Sequence, residues 1–359
     1  MNRSLILAGA IDMKPTPHGS RRRAPLIFPF LILSLMFAPP GAATKAYART
    51  QTPAVGAQQQ RQATPNVSGT LNFTVSVMDG KGNFIAGLTK EEFSVWEGKT
   101  EREINYFTGD ELPASVAVLI DASGSVQSRI LSASKYAAAK FLAQGNPTNE
   151  YFVGEFSNAW RGVLGWVQGA DAIVDAAERL SAESLITSHT KERGRGQTAL
   201  YDACDAALDA LAKRSKPRRI LILLTDGQDN QSSVKFNELR KKVRTLGVQV
   251  YGIGLLEKYD PPSLSVAGQA VLDELTLSSG GRAYFPENSK DRKELDQVIE
   301  RILMQLRHQY VIGFTPTNAA QPGKWNKVKI KVTPRGANRK SFVVIGRDGY
   351  FSPPQTPAP

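Results

Sequence analysis

Two unbroken apolar runs, Val116–Ile120 and Ile220–Leu224, each give way to oxygen-bearing side chains, and this restricts the fold more than any other feature. A run with no polar alternation needs cover on both faces, as in a parallel strand between two helix layers. The neighbouring patterns agree. Helical spacing is read over 128–141, 170–180, 202–213, 235–246, 272–279 and 290–307. Strand patterns fall at 150–156, 161–168, 248–253 and 281–285, and Gly247 stands where a helix ending at Leu246 needs a left-handed residue. Strands spaced by helices predict a doubly wound, mostly parallel α/β sheet over residues 112–308.

The ends of the two runs carry the candidate chemistry. The first empties into Asp121-Ala122-Ser123-Gly124-Ser125, and the second into Thr225-Asp226-Gly227. Between them, Gly194-Arg195-Gly196-Gln197-Thr198 leads into a helical pattern. Open α/β sheets collect ligands beyond the carboxyl ends of their strands, where the strand order reverses. The three loops would gather Asp121, Ser123, Ser125, Thr198 and Asp226 around one point. These side chains offer oxygen only, which suits a hard divalent cation such as Mg2+. Each also has a plain structural reading: Ser125 and Thr198 as helix caps, Asp226 as a turn residue.

The Asp-x-Ser-x-Ser, Thr and Asp elements, present in this order, resemble the metal-ion-dependent adhesion site of a von Willebrand factor type A domain. The resemblance implies a Rossmann-like domain in which Ser123, Ser125 and Thr198 contact the ion directly, and Asp121 and Asp226 directly or through water. Mg2+ is the implied cofactor, with Mn2+ or Ca2+ as alternatives, and an Asp or Glu of a partner protein is the implied last ligand. Gly124, Arg195, Gln197 and Gly227 would form the rim, with Arg193 beside them. Val126 stands where many members of the family carry methionine, which alters packing below the loop and leaves the ligating oxygens intact. A narrower likeness, to acidobacterial proteins related to this family, rests on Gly87-Leu-Thr-Lys-Glu-Glu-Phe93, Val95-Trp-Glu-Gly98 and Tyr310-Val-Ile-Gly-Phe314.

The flanks read as β structure. Leu71–Val77 alternates with period two, Asp79-Gly-Lys-Gly-Asn83 is a hairpin signal, and short strands follow at 84–85, 93–96 and 103–107. Residues 309–314, 327–332 and 341–345 are strand-like as well. Some 40 residues of short strands make a marginal sheet alone. The N-terminal segment (69–110) is therefore expected to pair with the C-terminal one (309–350) in a small β-sandwich, with the α/β domain inserted between them. Residues 351–359, rich in proline, read as a flexible tail, and 49–67 as a disordered linker.

Composition narrows the function. The formal charge is +12 from 45 basic and 33 acidic residues, and residues 1–48 hold six of the bases and one acid, leaving 39 against 32. The local cluster Lys213–Arg219 precedes a buried strand, so a solvated loop is expected and no nucleic acid partner is implied. Ser20-Arg-Arg-Arg23, the apolar stretch 24–38 and Ala46-Tyr47-Ala48 have the layout of a cleaved signal peptide, an uncleaved anchor being the alternative. Export to the periplasm, cell surface or medium is the expectation. The single cysteine, Cys204, excludes an intramolecular disulfide and reads as a small buried residue. Three histidines (His18, His189, His308), none beside a Ser or Cys motif, give imidazole catalysis and zinc sites little support. A binding module is expected, and not an enzyme. A passive envelope scaffold with a vestigial site and a metal-assisted hydrolase are the competing classes.

Overall fold

A computed structural model describes residues 69–123, 128–181, 197–255, 262–288, 291–316, 323–333 and 342–352. The elements run β1 (Leu71–Met78), a 3-10 turn (Lys90–Glu92), β2 (Phe93–Glu97), β3 (Thr100–Arg102), β4 (Ile104–Thr108), β5 (Ala114–Asp121), α1 (Ser128–Gln144), β6 (Glu150–Phe156) and β7 (Trp160–Gln168). Then come α2 (Ala170–Ser181), α3 (Leu200–Ala212), β8 (Arg218–Thr225), α4 (Phe236–Leu246), β9 (Gln249–Gly254), α5 (Pro262–Ser279), β10 (Ala283–Tyr284) and α6 (Arg292–Arg307). Strands β11 (Gln309–Phe314), β12 (Trp325–Val332), β13 (Val343–Gly346) and β14 (Gly349–Phe351) complete the chain.

The central sheet has the order β10-β9-β8-β5-β6-β7, parallel except for the antiparallel edge strand β7. Every residue of β5 is buried, as the unbroken apolar run requires. Alternate side chains serve opposite faces: Val116, Val118 and Ile120 pack with α1, α2 and α6, while Ala117 and Leu119 pack with α3, α4 and α5. Fully burying a residue such as Leu119 or Leu223 is worth roughly 1.5–3 kcal/mol, so the two layers account for the expected doubly wound architecture. Cys204, on the α3 face, is fully buried, and burial raises its thiol pKa well above the ordinary range.

The sandwich is built from both ends of the chain. β1 is flanked by β11 and β13, and β11 also pairs with β4. The second sheet runs β14-β12-β2-β3. Phe73, Val75, Phe93, Val95, Ile312 and Phe314 fill the space between the sheets. Of the tail expected at 351–359, Phe351 closes β14 against Trp325 and Ser352 is buried, while 353–359 lie outside the described residues. The expected strand at 84–85 is a single bridge, Met78 to Phe84.

The basic cluster before β8 is a solvated loop only in part: Lys213, Ser215 and Pro217 are exposed, but two of its arginines turn inward. Arg218 is buried and donates from Nη1 to the Leu306 carbonyl (2.7 Å) and to Gln309 Oε1 (2.9 Å), tying the sheet to the first residue of β11. Arg214 pairs with the buried Glu150 and lies over the Trp166 ring, and its guanidinium holds the Glu150 carboxyl below the usual range. Strand pairing draws two of its arginines inward: Arg214 pairs within the central sheet, and Arg218 bonds across to the start of β11.

Candidate metal centre

β5 and β8 are neighbours in parallel register, Ile120 beside Leu224. Chain connections leave β5 in opposite directions along the sheet, so its carboxyl end faces the crevice where the order reverses. The next residue of each strand, Asp121 and Thr225, meets there: Thr225 Oγ1 donates to Asp121 Oδ2 at 2.6 Å. Asp121 Oδ1 accepts from the Ser123 amide at 2.9 Å, and Asp226 Oδ1 accepts from the Gln228 amide at the same distance. Both aspartates therefore fold their own loops as Asx turns, which is the plain reading of Asp226.

Thr198 arrives by a different route. Its amide donates to Asn230 Oδ1 (2.8 Å), and its carbonyl accepts from the amides of Asn230 and Gln231. Ala199, also buried, donates to the Ser157 carbonyl. The cap position of α3 is Ala199, not Thr198, with no side-chain cap bond. Asp229 Oδ1 and Ser232 Oγ instead accept from the first amides of α3, those of Tyr201 and Asp202. The loop after β8 thus pins the Thr198 backbone through Asn230 and Gln231, and the capping alternative fails for this threonine.

Asp121 and Ser123 are fully enclosed, and Thr198 and Asp226 are 2% and 4% exposed. Burial, followed by the charge of Asp226, pushes the Asp121 carboxyl up from 3.8 to about 7. Two acids placed so that one resists ionisation, lined with hydroxyls, form a donor set that a hard dication would relieve. The described residues fit such an ion. Gly124, Ser125, Val126, Arg193 and Arg195 lie outside the described residues. Of the expected rim, Gln197 is exposed. Gly227 is buried at φ +81°, and a Cβ there would stand 2.3 Å from the Gly268 carbonyl. Gly268 meets the Asp226 carbonyl in return. Helix α5 begins at Pro262, ten residues before the expected Leu272, and Gly268 in this added stretch meets the Asp226 loop.

Sequence reasoning missed Thr225 as a functional group, although strand register alone sets it beside Asp121. Its hydroxyl also accepts from the Gly227 amide at 3.1 Å. Thr225→Val leaves a buried carboxylate oxygen and an amide without that partner, at an expected cost of about 1–3 kcal/mol. Chemical denaturation checks this; an unchanged midpoint would show that the Asp121–Thr225 bond is dispensable.

The von Willebrand factor type A domain profile matches residues 116–228, from the first residues of β5 to just beyond Asp226. Uncharacterized protein YwmC of Bacillus subtilis is 26% identical over 248 residues, 65% of this chain and 97% of that protein. Inter-alpha-trypsin inhibitor heavy chain H1 of Sus scrofa is 29% identical over 212 residues, 56% of this chain but only 22% of its own length. Among solved structures, an aerotolerance-related membrane protein of Bacteroides fragilis aligns at 16% identity and TM-score 0.40, covering 54% of this chain and 98% of that one. Proximal thread matrix protein 1 of the mussel byssus aligns at 14% and 0.41, covering 55% and 48%. Domains of this type commonly mediate protein–protein interaction. Residues 116–228, from β5 through the Asp226 turn, carry a von Willebrand factor type A domain.

Proposed function

We propose that this chain is an exported binding protein whose A domain holds Mg2+ through Asp121, Ser123, Ser125, Thr198 and Asp226 and uses it to take a partner's carboxylate. The observation that carries the reading is the burial of Asp121 and Asp226 together at the crevice, where their charges oppose each other. When bound, the ion neutralises both acids and keeps one position for an outside oxygen. The chain's own part is to hold the donors in place through the Thr225 bond and the two Asx turns. Non-enzymatic binding is the favoured class. Glu155, the spare strand carboxylate that a hydrolase would need as a base, is engaged by Arg161. Residues 20–48 support export to the periplasm, cell surface or medium.

Mg2+ titrated into the full chain is expected to stabilise it by about 2.7 kcal/mol at a hundredfold excess over the dissociation constant. Thermal melts with and without a chelator measure this. An acidic peptide should then bind in Mg2+ and be released by the chelator. A melting curve indifferent to Mg2+ would remove the ion from the function.

A further inference from the structure

At the other end of β8, the join between the sandwich and the A domain encloses a cavity of about 220 Å3. Arg218 and Arg219 open β8 on one side of it, Gln249 opens β9, and Arg347 reaches in from the segment between β13 and β14. No carboxylate is among the described residues that line it. Gln249 is 5% exposed, and neither its amide nitrogen nor its amide oxygen has a hydrogen-bond partner among the described residues. The Nε atoms of Arg218 and Arg219 are likewise unpartnered. Arg347 donates to the Asn72 carbonyl at 2.8 Å and lies 4.3 Å over the Phe73 ring, with no carboxylate in ion-pair range among the described residues. The acid nearest Arg218 is Glu111, at 3.9 Å.

A buried cation and a buried amide each cost free energy unless something pairs with them. Water fills polar cavities and satisfies dipoles, but it leaves the charge of Arg347 and of the half-buried Arg219 uncompensated, while Arg218 has only the long pair with Glu111. We propose that this cavity is an anion site for a phosphoryl group, either free phosphate or a small phosphate monoester. A phosphoryl group brings close to two negative charges, and planar guanidinium forks match its oxygens, so it answers the excess better than a monocarboxylate does. The Gln249 amide supplies a further neutral donor. Leu71, Leu112 and Leu246 form an apolar wall suited to a short carbon skeleton. The volume is below that of ordinary cofactor pockets, which leaves no room for a nucleotide. Because β1 and β8 both contribute walls, occupancy ties the sandwich to the A domain. The site is separate from the metal centre and does not depend on it.

The test uses the full chain with chelator present, so that Mg2+ plays no part. Inorganic phosphate and glycerol 3-phosphate are titrated against succinate and against sodium chloride of matched ionic strength, with melting temperature and calorimetry as readouts. Saturable stabilisation by phosphate or its monoester is expected, and whichever binds more tightly is the occupant. Arg219→Gln is expected to weaken that affinity about 10- to 100-fold, since a charged hydrogen bond is lost. Gln249→Leu should also weaken it while leaving the anion-free melting temperature equal or higher, an outcome that a purely structural amide would not give. Asp226→Asn should keep the phosphate response. Stabilisation no greater than that by chloride, equal response to succinate, or wild-type affinity in Arg219→Gln would each overturn the assignment.

Discussion

Asp226→Asn is expected to abolish the Mg2+-dependent rise in melting temperature and to leave the metal-free protein as stable as before or more so. The amide keeps an oxygen for the Gln228 N–H, so the turn survives, and what disappears is one of two opposed buried charges. The lost gain corresponds to about 2.7 kcal/mol at a hundredfold excess of ion, or roughly 5–10 °C for a domain of this size. Asp121→Asn should lose the response as well, at higher cost, because both of its oxygens hold neighbours in place. With chelator present, Asp121 also sets a pH dependence. Its folded pKa of about 7 lies above the ordinary 3.8, so the folded state binds the extra proton. Its contribution to stability is complete below about pH 4 and is lost as the pH rises through 7. Asp226→Asn should flatten that slope. A variant that retained both the Mg2+ shift and the slope would place the ion, if any, elsewhere in the molecule.

A chain ended after His308 is expected to lose the folded structure of residues 71–108, although every one of those residues is still present. β1 would lose both neighbours, β11 and β13, while β2 would lose β12 and β4 would lose β11. The remaining pair, β2 with β3, is a short hairpin, which is marginal in water without a sheet to pack on. The core between the sheets would also lose Tyr310, Ile312, Phe314, Val328 and Tyr350. Hydrogen exchange reads the result: amides of 71–108 should exchange freely, while those of 116–120 and 220–224 stay protected. Phe314→Ala tests the same point within the whole chain. Its side chain is fully buried against Phe73, and truncation should cost about 3–5 kcal/mol. Protected amides across 71–78 in the shortened chain would mean that the N-terminal strands stand by themselves.

Much of this molecule can be read from local pattern. Unbroken apolar runs announce β5 and β8, because only a strand covered on both faces can bury every side chain. Period-two alternation does the same for β1, and Gly247 ends α4 in the left-handed conformation foreseen from its position. The Asp121, Thr198 and Asp226 motifs mark strand and helix junctions by composition alone. Other features depend on what folding brings together. Thr225 matters because strand register sets it against Asp121, 104 positions away. Gly227 and Gly268 are glycines because two backbones touch, and no pattern within either segment says so. The first half of α5 lacks a clean apolar stripe in sequence, and its Gly268 meets the Asp226 loop only in the fold. The arginines of 218–219 and 347 look like surface charge until the sandwich closes over them. Periodicity and turn chemistry act over a few residues and are written along the chain, whereas desolvation, charge repulsion and steric contact are properties of neighbours that only the tertiary fold assigns.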